Sequence, residues 1–376
     1  MVIIIKVQEV NLGGNKTRYL LLDDDYNVIK PVKRYLKYLD NLGRSPNTIK
    51  NYTHHLKLYF DYLSIINMKY NEINSNKEKN AIDVLSDFIG WLKIPHYLND
   101  EVNNFGKIDP LREHQTINII ISVVLSFYDF LARNNEFDKL DVYKKQRKNP
   151  HFKNFLYELV DKHKELKTNI FKLKTIEPEI KFITRKEFKS LKENCNLIRD
   201  KLLISIMFEG GLRLGEVLGL QLTDIEIWNN KIKIIPRENL ENGVRVKNNA
   251  KGSSFFPPYV MKLFADYLTE EYGDIDSNFV FVNLYGKNIG SALKPGTVEK
   301  LFERLSLKID KKVTPHMCRH GHATELVEEG FKAIDIKDDL RHAHIQSTFR
   351  YTHYTDKFKI KKVKELQNKL NGGEKN

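Results

Sequence analysis

Apolar residues recur at spacings of three and four through much of the first third of the chain. Ile49, Tyr52, Leu56, Tyr59, Phe60 and Leu63 trace one stripe, and Ile117, Ile120, Ile121, Val124, Leu125, Tyr128 and Leu131 trace another. Each stripe is the buried face of a helix in a small bundle. Ser45-Pro46, just ahead of the first stripe, predicts an N-cap followed by a first-turn proline. The opposite faces carry Lys50, His54, His55 and Lys57. Before the bundle, Val2-Ile3-Ile4-Ile5 and Tyr19-Leu20-Leu21-Leu22 predict a hairpin across Gly13-Gly14-Asn15, ended by Asp23-Asp24-Asp25.

The pattern changes in the second half. A helical stripe covers Glu187–Phe208, and Ile225–Ile235 then alternates like a hairpin with Asn229-Asn230 at its turn. Helices follow near 259–272, 297–308, 316–329 and 333–340. Thr314-Pro315 is again a cap with its proline, and Gly330 marks a helix stop. These elements predict an α+β fold. An extended arm spans 1–28, an all-α domain 29–135, a basic connection with some helix 136–180, and a mixed α/β domain with a small antiparallel sheet 181–356. A basic tail helix, 357–376, closes the chain with Phe358, Ile360, Val363, Leu366 and Leu370 at helical spacing. No segment is expected to supply the roughly 18 apolar residues of a membrane helix.

Charge narrows the function. The chain of 376 residues carries a formal charge of +13, and a protein this basic usually meets a polyanion. Lys144, Lys145, Arg147 and Lys148 form a basic run that, with Lys50 and Lys57, is a candidate DNA contact. A solvated linker has the same composition. Two cysteines, Cys195 and Cys318, are too few for a disulfide framework and fit a reducing compartment, so a cytoplasmic protein is expected.

Four short signals carry candidate chemistry. Arg213 and Glu216 stand three apart after Gly210-Gly211, so one carboxylate can hold one guanidinium in place. His316 and Arg319 are also three apart. Cys318, His320 and His322 lie close by, but ligands stepping by two scatter around a helix, which argues against zinc. Leu340-Arg341-His342 is followed by Tyr351, nine positions beyond His342. A turn in Asn242-Gly243-Val244-Arg245-Val246-Lys247 carries one lysine, and Lys251 follows shortly after.

Taken in order, these signals resemble the tyrosine recombinase (phage integrase) family over the whole second domain. Residues 29–135 look like the family's core-binding, SAM-like helical domain. Pro236-Arg237-Glu238-Asn239, the stretch 242–247 and Thr314-Pro315-His316-Met317-Cys318-Arg319-His320 are most similar to transposase subunits of gram-positive site-specific transposons and related mobile-element integrases. The resemblance implies that Tyr351 attacks a phosphodiester and forms a covalent 3′-phosphotyrosine. Arg213 and Arg319 would clamp the non-bridging oxygens, His316 would act as acid–base partner, and His342 would bond the phosphate. Lys247 would protonate the leaving 5′-oxygen, with Lys251 as its rival, and Glu216 would support the arginines. Tyr354, three beyond Tyr351, is a rival nucleophile.

No metal or cofactor is implied, since the covalent bond conserves the phosphodiester energy. The implied partners are double-stranded DNA recombination sites, each half-site held in a C-shaped grip. The implied assembly is a homotetramer, or a hetero-tetramer with sister recombinases, and no membrane is involved. Arg341 stands where the family usually has glycine. If that position needs positive φ, an arginine there is strained by about 1 kcal/mol. Two other readings remain open: a type IB topoisomerase, which shares the chemistry, and a silent DNA-binding accessory protein.

Overall fold

The structure is a computed structural model that describes residues 5–12, 17–74, 80–94, 111–146, 166–175, 179–237, 240–244 and 251–351, with positions 363 and 367. The chain divides into two units, Met1–Glu177 and Pro178–Asn376.

In the first unit, β1 (Lys6–Asn11) pairs antiparallel with β2 (Thr17–Leu22), Lys6 opposite Leu22. Among the described residues the hairpin's first strand begins at Lys6, one position after Ile5. Residues 2–4 and the Gly13-Gly14-Asn15 turn lie outside the described residues. Then come α1 (Lys30–Asn41), α2 (Pro46–Ile65), α3 (Ala81–Lys93) and α4 (His114–Arg133). Ser45 Oγ accepts from the Thr48 amide at 3.1 Å, so the predicted cap is formed. Both stripes are buried, apart from the half-buried Tyr52. Their aromatic rings meet in the middle, where the Tyr59 and Tyr128 hydroxyls bond at 2.8 Å.

Helix α4 overturns one expectation. It is long and apolar enough to cross a membrane by length and composition. Its buried face, from Ile117 to Leu131, packs in the core of this unit, as a central bundle helix does. Within 136–180, β3 (Tyr143–Gln146) pairs antiparallel with β4 (Leu166–Asn169), and Leu140, Val142 and Phe171 join the same core. Of the candidate DNA-binding residues, Lys50 and Lys144 are exposed, and Lys57 holds Asp61 at 2.6 Å. Lys145 lies in β3, and Arg147 and Lys148 lie outside the described residues.

In the second unit, the helix expected over Glu187–Phe208 is two: α5 (Arg185–Glu193) and α6 (Ile198–Glu209). The second start is fixed from a distance, because the Glu271 carboxylate accepts from the Ile198 and Arg199 amides at 2.7 and 2.9 Å. Helix α6 is buried almost all round, Arg199 and Asp200 included, and packs against the later helices α8 (Pro258–Tyr267) and α10 (Pro315–Glu328). Between them lie α7 (Leu214–Leu218) and a three-stranded antiparallel sheet of β5 (Ile225–Glu226), β6 (Lys231–Ile234) and β7 (Gly252–Phe255). Asn230 takes the left-handed conformation at the β5–β6 turn, φ 47°. The unit also contains α9 (Pro295–Lys308), α11 (Ala333–Asp339) and α12 (Gln346–Phe349). Helix α10 lies hard against the segment entering the unit. The Ile183 amide donates to Met317 O at 3.2 Å, and a Cβ at Gly321 would stand 2.3 Å from Ile183 O.

Candidate active site

Four chain segments converge at one place in the second unit. Helix α6 ends at Gly210-Gly211, and Gly211 has φ 58°. A Cβ there would meet the His322 ring at 2.6 Å, so this tight turn requires glycine on both counts. The turn delivers Arg213 to the start of α7. Glu216, in the first turn of α7, has a fully buried side chain. Its Oε2 accepts from the Arg213 amide at 2.9 Å, and its Oε1 from Arg213 Nη1 at 2.6 Å. The spacing of three thus does what it predicts, closing a helix start and orienting the guanidinium together.

Helix α10 brings His316, Arg319 and His320 to the same place, at positions i, i+3 and i+4 of one face. Arg319 is buried. Its Nη1 donates to Gly211 O at 2.6 Å, and its Nη2 donates to Leu340 O. Two carbonyls from separate turns therefore fix the plane of its fork.

Arg341 does adopt the conformation feared for it, with φ 55°. Its side chain explains why the strain is tolerated. Nη1 donates to Ser254 Oγ on β7 and to Asp339 O, each at 2.7 Å, and Nη2 donates to Glu216 Oε2 at 3.2 Å. A Cβ at Gly252, also on β7, would meet the Arg341 stem at 2.9 Å. Three guanidiniums thus surround the Glu216 carboxylate, with Arg319 at 3.7 Å.

Tyr351 follows α12 and is buried with 8 % exposure. Its hydroxyl shares a 2.8 Å hydrogen bond with Nδ1 of His320. The His342 ring lies parallel to the phenol, centroids 6.3 Å apart, while His342 Nδ1 bonds Thr348 Oγ1 at 2.9 Å. A cavity of about 630 Å³ opens over these groups, lined by Arg213, His316, Arg319, His320, His342 and Tyr351. Lys181, Lys312 and Arg350 also line it.

Burial and positive charge set the protonation states. Burial, then the arginines, push His342 down to about 4. Burial, His316 and Arg319 push His320 down to about 4. Both rings are therefore neutral near pH 7. Burial raises the Tyr351 phenol, against the opposing pull of Arg319, Arg350 and Arg213. Burial, then Arg341 and Arg319, shape Glu216, and the arginines win: its pKa is lowered and it stays ionised. Burial and Arg213 lower Arg319, yet a guanidinium remains a cation at neutral pH. A pocket with this surplus of fixed cations and oriented donors suits one anionic group, such as a phosphodiester.

The structure brings Arg213, Glu216, His316, Arg319, His342 and Tyr351 together. Lys247 and Tyr354 lie outside the described residues, and Lys251 is exposed just before β7. His320, Lys181, Lys312 and Arg350 are absent from the sequence-based set of catalytic candidates. Only His320 left a trace in the sequence, one turn beyond His316 on the same face. His322 bonds Asp339 at 2.9 Å, and Cys318 is fully buried, so these two are occupied elsewhere. Among the described residues no three His, Cys, Asp or Glu side chains group as metal ligands.

The phage integrase family model matches residues 181–357. Transposase A from transposon Tn554 of Staphylococcus aureus is 38% identical over 355 residues, covering 94% of this chain and 95% of the relative. The tyrosine recombinase XerA of Pyrococcus horikoshii is 25% identical over 344 residues, 91% of this chain and 96% of the relative. The Tn1549 transposon integrase, solved in complex with a circular intermediate DNA, aligns with a TM-score of 0.57 at 17% identity, covering 86% of this chain and 95% of that one. A lambda integrase dimer bound to a core site aligns with a TM-score of 0.56 at 12% identity, covering 86% of this chain and 94% of that one. These structures share the fold, and the Tn554 relative matches nearly end to end: the chain belongs to the phage integrase family and is a tyrosine recombinase.

Proposed function

We propose that this recombinase cuts and rejoins double-stranded DNA at specific sites to mobilise a transposon or integrative element, with Tyr351 as nucleophile. One observation carries the reading. A buried phenol, two fixed guanidiniums and neutral imidazoles share a single cavity that is large enough for a phosphodiester. The Tyr351 oxygen forms a bond to phosphorus, the bond from phosphorus to the 5′-oxygen breaks, and a 3′-phosphotyrosine holds the strand. The 5′-hydroxyl of a second strand then reverses the step, so bond energy is conserved. Arg213 and Arg319 stabilise the charge that builds on the non-bridging oxygens. His342 contacts the phosphate, His316 lines the same cavity as the acid–base partner that the resemblance implies, and Glu216 keeps the arginines in register. Lys247 protonates the leaving oxygen, with Lys251 as its rival.

The extensive likeness to a transposon's transposase supports a mobile-element role. In this reading four protomers, alike or with sister recombinases, act on two DNA sites. The surface charge supports an affinity dominated by phosphate contacts, falling steeply with salt. On a nicked suicide substrate, Tyr351→Phe abolishes the covalent protein–DNA adduct, and Tyr354→Phe retains it. Adduct formed by Tyr351→Phe overturns the assignment.

A further inference from the structure

The hydroxyl of Tyr351 must lose its proton as it attacks, and one side chain already touches it. From that contact we infer that His320, one turn beyond His316, is the catalytic group that takes the Tyr351 proton during cleavage and returns it during rejoining. This rests on the reading of Tyr351 as nucleophile and goes beyond it.

The geometry comes first. His320 Nδ1 stands 2.8 Å from the Tyr351 oxygen, with ring centroids 5.5 Å apart. That is the distance of a proton-transfer pair. Helix α10 holds the imidazole in place, and the Thr324 hydroxyl donates to His320 O at 2.8 Å one turn on. His316, the partner expected from the sequence, stacks on His320 with centroids 6.1 Å apart. The order is therefore phenol, His320, His316.

The charge state is suitable. A protonated imidazole could not accept, and His320 is held near 4 by burial and its neighbours, so it is neutral in the resting enzyme. With the phenol donating, Nδ1 bears the lone pair and Nε2 the proton. The groups facing His320 are His316 and Arg319 on its own helix, with Arg350 and Tyr351 beyond α12. Glu179, Lys181, Arg213, Lys312, His342 and His344 are the other charged or titratable groups of the cavity wall, and the balance is positive. A bound phosphodiester brings a negative charge beside the ring, which raises its basicity only when substrate is present. The proton then moves from the phenol to Nδ1 as the oxygen–phosphorus bond forms. The 5′-oxygen leaves with a proton from a different acid. In the reverse step the imidazolium returns its proton to the phenol.

The test is single-turnover cleavage of the nicked suicide substrate across pH 5–9. The parent enzyme should show an acidic limb. His320→Asn, whose amide oxygen can stand near the Nδ1 position, keeps a hydrogen-bond acceptor but cannot hold a proton. It should bind DNA and melt as the parent does, cleave about 10²–10⁴-fold more slowly, and lose the acidic limb. His320→Ala should be slow and recover rate with added imidazole. Parent-like cleavage by His320→Asn overturns the proposal. So does slow cleavage with the acidic limb unchanged and no rescue of His320→Ala, because that marks a packing role. If the limb vanishes with His316→Ala and persists with His320→Asn, the proton goes to His316 instead. A parent enzyme that forms no adduct at all would sink the function itself, a result separate from any of these. Should His320→Asn fail to fold, an acidic limb missing from the parent profile still refutes the role.

Discussion

Arg341→Gly restores the residue that the family usually carries, and the structure says that this restoration should harm the protein. Glycine relieves a left-handed arginine, a gain of about 1–2 kcal/mol. Against this stand the bonds to Ser254, Asp339 and Glu216. Hydrogen bonds from a charged group contribute about 1.5–3 kcal/mol each, and three sharing one guanidinium are worth roughly 3–5 kcal/mol together. The buried stem adds about 0.8 kcal/mol per methylene, or roughly 2 kcal/mol. Losing a third cation beside Arg213 and Arg319 relieves repulsion and trims the total. The net destabilisation is about 2–4 kcal/mol. For a unit of this size that lowers the melting midpoint by roughly 4–16 °C. Calorimetry of the full chain would measure it, following the transition that shifts when oligonucleotide is added. Since Arg341 faces Glu216 and β7, residual cleavage at low temperature should stay within about tenfold of parent. An unchanged or raised midpoint would show that the three bonds do not outweigh the strain, and the reasoning fails.

Other expectations can be checked with standard assays. A substrate with sulfur in place of the bridging 5′-oxygen leaves without protonation, so Lys247→Ala should be slow on ordinary DNA and near normal on sulfur DNA. Lys251→Ala should show little defect on either, and the opposite pattern would exchange their roles. His320 and His342, both held near 4 when folded against about 6.5 when unfolded, bind fewer protons in the native state. Their contribution is therefore complete above pH 6.5 and is lost as pH falls from about 6.5 towards 4, where the melting midpoint should drop; a flat profile from pH 7 to 5 would count against it. Gly321→Ala puts a methyl 2.3 Å from Ile183 O and should cost about 1–3 kcal/mol, read as a lower melting midpoint.

Local signals in the sequence carried far. Ser45-Pro46, the Thr314-Pro315 helix start and the stop at Gly330 all lie where the pattern places them. Arg213 and Glu216 interact as their spacing predicts. What periodicity does not show is contact across the chain. The break before α6 is fixed by Glu271, some seventy positions away, so α5 and α6 read as one helix. His320 meets Tyr351 across 31 positions, and Arg341 meets Glu216 across 125. Arg341 illustrates the limit well. Its backbone strain was legible from a family habit, and the partners that compensate it were not, because they come from α7 and β7.

The crowding around Glu216 has a consequence for how such a protein evolves. One carboxylate cannot neutralise Arg213, Arg319 and Arg341, so the site's own side chains carry surplus positive charge in a buried place. That repulsion lowers the stability of the free chain and is relieved only by an anionic guest. Selection for a robust fold and selection for strand exchange therefore pull this cluster in opposite directions. A laboratory screen that rewards heat tolerance alone would keep Arg341, whose bonds to Ser254 and Asp339 outweigh its repulsion, and would relieve the charge at the more exposed Arg213, and its winners would be well folded and inert.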